Sequence, residues 1–284
     1  MSDKISPHIY AMYEWSWVFS DFLGTAYGYH INGYDVNISC PYGSKPFFYF
    51  LDNIKQEKLT QDCYYTRTDH STNSVYRKDF NPKDAWGDIW TMPPIKQYYQ
   101  KDNPINNQKP ILVVNNKHTM EWYKKPYNFL DLGVLKSIFS LFGDKYDIYY
   151  IRHNKEFHLD DFDGYHDNVD TVPFGDYDLI ENEFPNVVTI YDFMKDYNLD
   201  YNESQCVIMS KSDKHISVSG GNAVLSSLFS KDNVIYTHPN DWKNTAVTRG
   251  IWHTDSWLSL LNNSAIYGVN DFHDLVGLCE DMWL

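Results

Sequence analysis

Two adjacent glycines stand at the start of a predicted helix, where they could bind an anion. Residues 215–218 have the pattern of a short buried strand, and residues 219–222 follow as a turn that only small side chains allow. Helical spacing of apolar residues covers 223–229, and residues 234–236 predict a second buried strand. In such a unit the backbone N–H groups at the helix start favour an anion, such as a diphosphate; the alternative is a tight connection without a ligand. The residues expected to bind the anion are Ser219, Gly220, Gly221 and Asn222.

Cationic and polar side chains end other predicted strands and are candidates for the same site. Arg152 follows the apolar run 146–151, where a guanidinium could bind phosphate oxygens in a bidentate manner. The alternative for Arg152 is a surface salt bridge with the acidic residues that follow it. Lysines at this edge have the alternative of a solvated surface position. The other predicted ligand contacts are Asn116, Lys117, Asp192 and Lys211, with Lys214 as a further lysine.

An alternation of strands and helices would bring these residues to one edge of a sheet. The alternation predicts a parallel sheet with right-handed crossovers, and ligands of such sheets bind at the carboxyl ends of the strands. Residues 154–183 are expected to form a long acidic insertion. The predicted strands are 111–114, 146–151, 185–191, 215–218 and 234–236, with helices at 130–142, within 193–210 and at 223–229.

A polar segment near residue 105 divides the chain in the predicted domain organisation. Residues 1–105 are aromatic, punctuated by glycine and irregular, and form a predicted N-terminal domain. Residues 106–254 form the predicted second domain, which carries the alternating strands and helices. Residues 255–284 are expected to be helical.

Composition argues against several classes of protein. A net charge of −14, with no run rich in Lys and Arg, argues against nucleic-acid binding. The sequence contains no apolar run of about 18 or more residues and no signal peptide, so a cytoplasmic protein without a membrane span is expected. The cysteines (4 in total) lack CxxC spacing, which indicates reduced thiols rather than a zinc site or a disulfide framework.

The order of these parts resembles the C-terminal half of glycosyltransferases with the GT-B fold. In that family a strand ends in a glycine pair that starts a helix near the donor's phosphates, as at 219–222, and the next strand ends near a proline, as at Pro239. An upstream segment, to which 186–193 is similar, ends in a loop that holds the nucleotide base. More narrowly, segments 110–117 and 149–152 and the pair Glu121 and Trp122 resemble small cytosolic glycosyltransferases of large DNA viruses that infect algae. These enzymes decorate capsid glycans, and a xylosyltransferase is among them.

The resemblance implies an α/β, GT-B-like fold with two Rossmann-like domains facing a cleft, the N-terminal one reduced and irregular. The N-terminal domain, 1–105, would bind the acceptor, and the C-terminal domain, 106–254, would bind the nucleotide-sugar. Residues 255–284 would pack back across both domains. The resemblance also implies transfer of a sugar from a UDP-sugar to a hydroxyl group of a glycan or glycoprotein, in the host cytoplasm if the protein is viral. Xylose rests on the resemblance alone, because the usual acidic residue after the glycine helix is absent and Ser226 and Ser227 stand nearby. Helix N-termini and cations would stabilise the leaving diphosphate, so no metal is expected.

The acceptor hydroxyl must lose its proton as it attacks, and we expect the base to come from the N-terminal domain. Asp69 is the first candidate because it lies in a polar segment beside His70. Its alternative role is that of a turn-forming aspartate. His70, Asp21 and Asp79 follow as further candidates. A direct base for inversion fits better than a covalent nucleophile, although the residues leave the stereochemistry open.

Rival chemistries have weaker support in the sequence. Asp161 and Asp163 form a DxD pattern, which binds Mn²⁺ or Mg²⁺ in GT-A enzymes, but they lie in the acidic stretch and are expected to be a solvated loop. Neither the dinucleotide GxGxxG nor the P-loop motif occurs, and HExxH and GxSxG are absent. Two other classes stay open: a pyruvyl transferase acting on polysaccharide, and a non-catalytic glycan-binding protein, which an aromatic content of 17% permits.

Overall fold

The computed structural model describes residues 6–11, 15, 18–57, 87–120, 125–153, 172–239 and 256–284. In its N-terminal part, strands β1 (His8–Tyr10), β2 (Asn37–Pro41) and β3 (Asn53–Glu57) form a small parallel sheet in that order. A π-helical turn, Val18–Phe22, leads into helix α1 (Leu23–Ile31), and a 3-10 helix covers Lys45–Phe48. Helix α2 (Ile95–Lys101) then leads to the larger part of the molecule.

The larger part is built on a 6-stranded sheet in which every neighbouring pair is parallel. Its strands are β4 (Ile111–Asn115), β5 (Asp147–Ile151), β6 (Val188–Thr189), β7 (Lys214–Val218), β8 (Asp232–Tyr236) and β9 (Ala265–Val269). They lie in the order β6-β5-β4-β7-β8-β9. Counted from β4, this is the 3-2-1-4-5-6 order of doubly wound nucleotide-binding folds. The prediction of an α/β protein with a parallel sheet is confirmed, and the topology is compatible with a Rossmann-like fold.

Helices cover both faces of this sheet. They are α3 (Leu132–Phe142), α4 (Asp176–Glu183), α5 (Ile190–Tyr197), α6 (Tyr201–Ser210), α7 (Gly221–Phe229), α8 (Ser259–Asn262) and α9 (Phe272–Trp283). Helix α3 shows why they form: Leu135, Ile138 and Phe142 recur on one buried face, and the side chain of Asp131 caps the start by accepting from the N–H of Val134.

Successive side chains along a strand of the large sheet point alternately into two hydrophobic cores, one on each face of the sheet. Leu112 and Val114 of β4 point to the face that packs with α3 and α9, whereas Ile111 and Val113 point to the face that packs with α7. Because both faces are covered, β4 reads in the sequence as a continuous apolar run from Ile111 to Val114.

The N-terminal part packs against the helices that cover one face of the large sheet. Phe19 and Phe47 belong to the same buried cluster as Val224 and Leu228 of α7. Within the described residues, the hydrophobic core is therefore continuous across the boundary predicted near residue 105. The cleft between two facing domains stays a prediction.

The segment predicted as a linker makes partly buried polar contacts with helix α6. Asn103 donates from Nδ2 to the carbonyl of Val207 at 2.8 Å and to the hydroxyl of Ser210 at 2.9 Å. At the start of α2, the Lys96 ammonium donates to the carbonyl of Ser212 at 2.8 Å and to the carboxylate of Asp213 at 2.6 Å. These contacts fasten residues 96–103 to α6 and to the amino end of β7.

Three predicted elements differ from the structure. The acidic stretch 154–183, for which no helix was predicted, ends in helix α4 at 176–183. The strand predicted at 185–191 shortens to two residues because the hydroxyl of Thr189 caps α5, accepting from the N–H of Asp192, so the chain turns helical at Ile190. The C-terminal segment is not helical throughout, since 265–269 joins the sheet as β9 beside β8. Across the ranges that the structure describes, no helix is long and apolar enough to cross a membrane.

Candidate functional site

The strands β4 and β7 are neighbours in the sheet, and we call the region beyond their carboxyl ends the crevice. Helix α3, which follows β4, packs on one face, and α7, which follows β7, packs on the other. The chain therefore leaves the two strands in opposite directions. Such a switch point is where open α/β sheets bind their ligands.

The predicted glycine turn forms one wall of this crevice, and its strand–turn–helix–strand order is confirmed. Gly220 has φ 115 and ψ −153, a conformation that side-chain-bearing residues rarely adopt. The N–H groups of Ala223 and Val224 bond to the Gly220 carbonyl at 3.1 and 3.3 Å. The amides of Gly221 and Asn222 precede these bonds, so they belong to the helix start, where backbone donors point outward.

Lys117, which follows β4, places its ammonium over the glycine turn. A Cβ atom added to Gly220 would lie 3.2 Å from Nζ of Lys117. The ammonium and the N-terminus of α7 both carry positive charge and face the same space. An anion between them would be attracted by both, which makes this point the strongest candidate site on the edge.

Asn116 holds the end of β4 in place and uses its amide within the protein. Its Oδ1 accepts from the N–H groups of Lys117 and Leu130, both at 2.9 Å. Its Nδ2 donates to the Leu130 carbonyl and to the Tyr150 hydroxyl, both at 3.0 Å. Asn222 joins the two walls of the crevice, because its Nδ2 donates to the Asn116 carbonyl at 3.0 Å. We therefore assign Asn116 a positioning role rather than the predicted ligand contact.

Arg152 lies in an ion pair with Asp176, a residue of the acidic stretch 154–183, as its alternative role predicted, but the pair is buried and not at the surface. It is 1% exposed, and its Nε and Nη2 both donate to the carboxylate of Asp176, the latter at 2.7 Å. The Tyr150 hydroxyl also donates to Asp176, at 2.6 Å. Burial alone would lower the pKa of Arg152, but the bonds to Asp176 raise it above its ordinary value, so the guanidinium stays charged. In this arrangement Arg152 braces β5 against α4 and does not reach the crevice.

Two further predicted contacts lie away from the turn. Asp192 sits in the first turn of α5, where its carboxylate accepts from the Thr189 hydroxyl at 2.5 Å, as part of the helix cap. Lys211 ends α6 and lies just before β7 begins. It therefore belongs to the amino edge of the sheet, opposite the crevice. Lys214, the first residue of β7, shares that edge and lies 3.9 Å from the Asp232 carboxylate.

The residues predicted to supply the base lie mostly outside the described residues. This applies to Asp69, His70 and Asp79, and also to the DxD pair Asp161 and Asp163. Asp21 is described: it is 3% exposed within the π-helical turn 18–22. Among the residues whose positions are described, no group of His, Cys, Asp and Glu could hold a metal ion. Metal independence stays a prediction.

Sequence reasoning missed the polar network that fixes α7 beneath the turn. Ser217 donates to Oδ1 of Asn233 at 2.8 Å, and Nδ2 of Asn233 donates to the Ser227 hydroxyl at 3.0 Å and to the Ala223 carbonyl at 3.2 Å. Ser217, Ser227 and Asn233 are each fully buried. Ser227 thus fixes the position of α7. In the sequence, a polar residue on an otherwise apolar helix could have indicated such a buried hydrogen bond.

Sequence reasoning also missed the segment 127–130, which crosses the same edge. His238, after β8, donates its N–H to Oδ1 of Asn128 at 2.8 Å, and its ring lies 4.3 Å from that of Tyr127. Nearby, the His118 ring stacks on Phe174 with centroids 4.3 Å apart, and burial lowers its pKa. The edge is therefore aromatic as well as cationic.

Comparisons of the chain with models of known protein families, with curated proteins and with solved structures find no match.

Proposed function

We propose that this chain is a glycosyltransferase of GT-B-like architecture that moves a sugar from a UDP-sugar to a hydroxyl group of a glycan. The observation that carries the proposal is the convergence of Lys117, Gly220 and the start of α7 at the switch point of a sheet with Rossmann order. This geometry supports a site for phosphate groups. The absence of the GxGxxG and P-loop motifs then favours a donor with a diphosphate leaving group over a dinucleotide or a nucleotide triphosphate.

The proposed chemistry assigns different tasks to the two parts of the chain. As the bond between the sugar and the diphosphate breaks, negative charge grows on the leaving phosphate. The Lys117 ammonium and the amides of Gly221 and Asn222 would stabilise that charge without a metal ion. The base that takes the proton of the acceptor hydroxyl would come from the N-terminal part, with Asp69 beside His70 as the proposed group.

The proposal is tested by thermal unfolding and calorimetric titration with UDP, GDP, their sugar conjugates and phosphoenolpyruvate, each with and without EDTA. We expect UDP and UDP-sugars to raise Tm and to keep this effect in EDTA, because binding to the folded state stabilises it. Lys117→Ala should weaken UDP binding on the order of tenfold, the loss of one charge-assisted contact. Lys211→Ala removes an exposed lysine at the opposite edge and serves as the matched control.

Each alternative has its own outcome in this experiment. Stabilisation by phosphoenolpyruvate but not by UDP would favour a pyruvyl transferase, since both ligands present phosphate to the same turn. Binding of oligosaccharides with no response to any nucleotide would favour a glycan-binding protein and refute the proposal. A UDP effect that EDTA abolishes would restore the metal role of Asp161 and Asp163. For a chain that binds UDP-sugar, Asp69→Ala should keep the affinity and abolish transfer.

A further inference from the structure

The segment 127–130, which we call the strap, passes the carboxyl end of β7. At one end of it, Leu130 exchanges two hydrogen bonds with the Asn116 side chain, after β4. Toward its other end, Asn128 accepts from the N–H of His238, after β8. Because β7 lies between β4 and β8, the strap spans the place where the glycine turn begins. The strap is therefore a second wall of the crevice, opposite α7.

Two half-buried aromatic rings meet where the strap contacts β8. The rings of Tyr127 and His238 have centroids 4.3 Å apart and an interplanar angle of 35°. The hydrogen bond between the His238 backbone and Asn128 fixes this contact independently of the His238 side chain. The pair thus stands on a braced backbone at the rim of the crevice.

The register of the strands places this pair close to the glycine turn. Val218 of β7 is paired with Tyr236 of β8, and the N–H of Ser219 extends the ladder by bonding to the Tyr236 carbonyl at 2.9 Å. Gly220 and His238 each lie two residues beyond that pair. Neighbouring strands are separated by about 4.8 Å, so the ring pair lies roughly 5–10 Å from Gly220. That is the distance at which a ring joined to a bound diphosphate would lie.

We propose that Tyr127 and His238 bind the ring that the phosphate carries. This inference rests on the proposed function, because it needs a phosphate group anchored at Gly220. Aromatic faces stack on nucleobases and on the C–H faces of sugars. The ligand class is therefore a small phosphate ester with a ring, and phosphoenolpyruvate and inorganic pyrophosphate lack the part that the pair recognises. The net charge of −14 disfavours a polynucleotide as the source of that ring.

Calorimetric titration of pyrophosphate, UDP and a UDP-sugar into the full chain tests the inference. The variants are Tyr127→Ala, Tyr127→Phe and His238→Ala; the last keeps the backbone bond to Asn128. We expect the Kd of UDP to rise on the order of tenfold for Tyr127→Ala and His238→Ala if the ring is the base. If the ring is the sugar, the affinity that the UDP-sugar gains over UDP should fall instead. Tyr127→Phe should bind as the unaltered chain does, and the affinity for pyrophosphate should not change.

A matched control comes from another aromatic pair on the surface. Tyr98 of α2 is 51% exposed and stacks on Tyr49 with centroids 3.8 Å apart. Tyr98→Ala removes a ring of the same kind away from the strap and should leave all three affinities unchanged. Should Tyr127→Ala fail to fold, His238→Ala decides alone, because the hydrogen bond that holds His238 to Asn128 is made by its backbone.

The outcomes separate this inference from the proposed function. Nucleotide binding that weakens in Lys117→Ala but not in Tyr127→Ala or His238→Ala would overturn the ring site and leave the proposed function standing. An equal loss of pyrophosphate affinity in Tyr127→Ala would also overturn it, since the pair would then act on the phosphate. A chain that binds no nucleotide at all would overturn both.

Discussion

Breaking the ion pair between Arg152 and Asp176 tests the assignment of Arg152 to the protein core. Asp176→Asn keeps the size of the side chain and removes its charge. The two residues are 1% and 0% exposed, so the Arg152 guanidinium would remain buried opposite a neutral amide. Removing one partner of a buried pair costs about 3–5 kcal/mol, because the remaining charge is left without compensation. The Tyr150 hydroxyl also donates to Asp176 and would lose a charged acceptor, worth about 1 kcal/mol.

The assay is equilibrium unfolding in urea at neutral pH. We expect the free energy of unfolding to fall by more than about 3 kcal/mol in Asp176→Asn. Glu183→Gln is the matched control, since Glu183 also joins α4 to a neighbouring helix, through Lys136 of α3. That pair is 46% and 54% exposed at its side chains, and exposed pairs contribute at most about 1 kcal/mol.

A double variant distinguishes the cost of leaving one charge buried without a partner from the loss of the ion pair itself. Arg152→Met combined with Asp176→Leu removes both charges and should cost less than Asp176→Asn alone, because apolar replacement of a buried pair is often neutral. If Asp176→Asn costs no more than Glu183→Gln, the pair is not desolvated. Arg152 would then be accessible to solvent and would again be a candidate for phosphate binding.

Two further predictions concern pH and the glycine turn. Burial lowers the pKa of His215 from 6.5 to about 3, so the unfolded state binds more protons than the folded state between these pH values. The free energy of unfolding should therefore fall as the pH drops from about 6.5 towards 3, by up to about 1.4 kcal/mol per pH unit. His215→Leu should remove that part of the slope in urea unfolding at pH 7 and pH 4.5; an unchanged slope would show that another group titrates. Gly220→Ala should cost about 1–2 kcal/mol, because φ 115 disfavours a side chain, and should weaken UDP binding by displacing the Lys117 ammonium. Gly277→Ala, where an added Cβ meets nothing within 4 Å, should be neutral or stabilising, and equal effects of the two changes would refute the strain argument.

The sequence predicts those parts of the fold whose burial is nearly complete. β4, β5, β7 and β8 are covered on both faces. β4 reads as a continuous apolar run, and β7 and β8 carry shorter apolar runs among buried polar residues such as Ser217 and Asn233. Helix α3 shows its buried face at helical spacing. The predicted length of β6 was too long because a single hydroxyl, that of Thr189, caps a helix that starts inside the apolar run. β9 was missed because, as the last strand of the sheet, it is buried at only one of its residues, Ile266, and so lacks a clear pattern.

The sequence predicts those parts of the site whose residues are close together along the chain. The glycine turn is contained in consecutive residues, and Lys117 follows directly from the end of β4. The partner of Arg152 lies 24 residues away in α4, and pairing over that distance leaves no periodic signal. The strap was missed for the same reason, since it is defined by bonds of Asn116 and His238 to residues far along the chain.

The buried polar networks explain how the crevice can hold like charges close together. The Lys117 ammonium and the start of α7 are both positive and lie close together, so an anion between them would be attracted by both. Asn116 fixes the loop that carries Lys117 through its side-chain bonds, and the side chain of Asn233 fixes α7. Both positive groups are therefore held in place before an anion binds, which is the preorganisation that charge stabilisation requires. We therefore expect Asn116→Ala to weaken UDP binding through Lys117, although Asn116 does not itself touch the ligand.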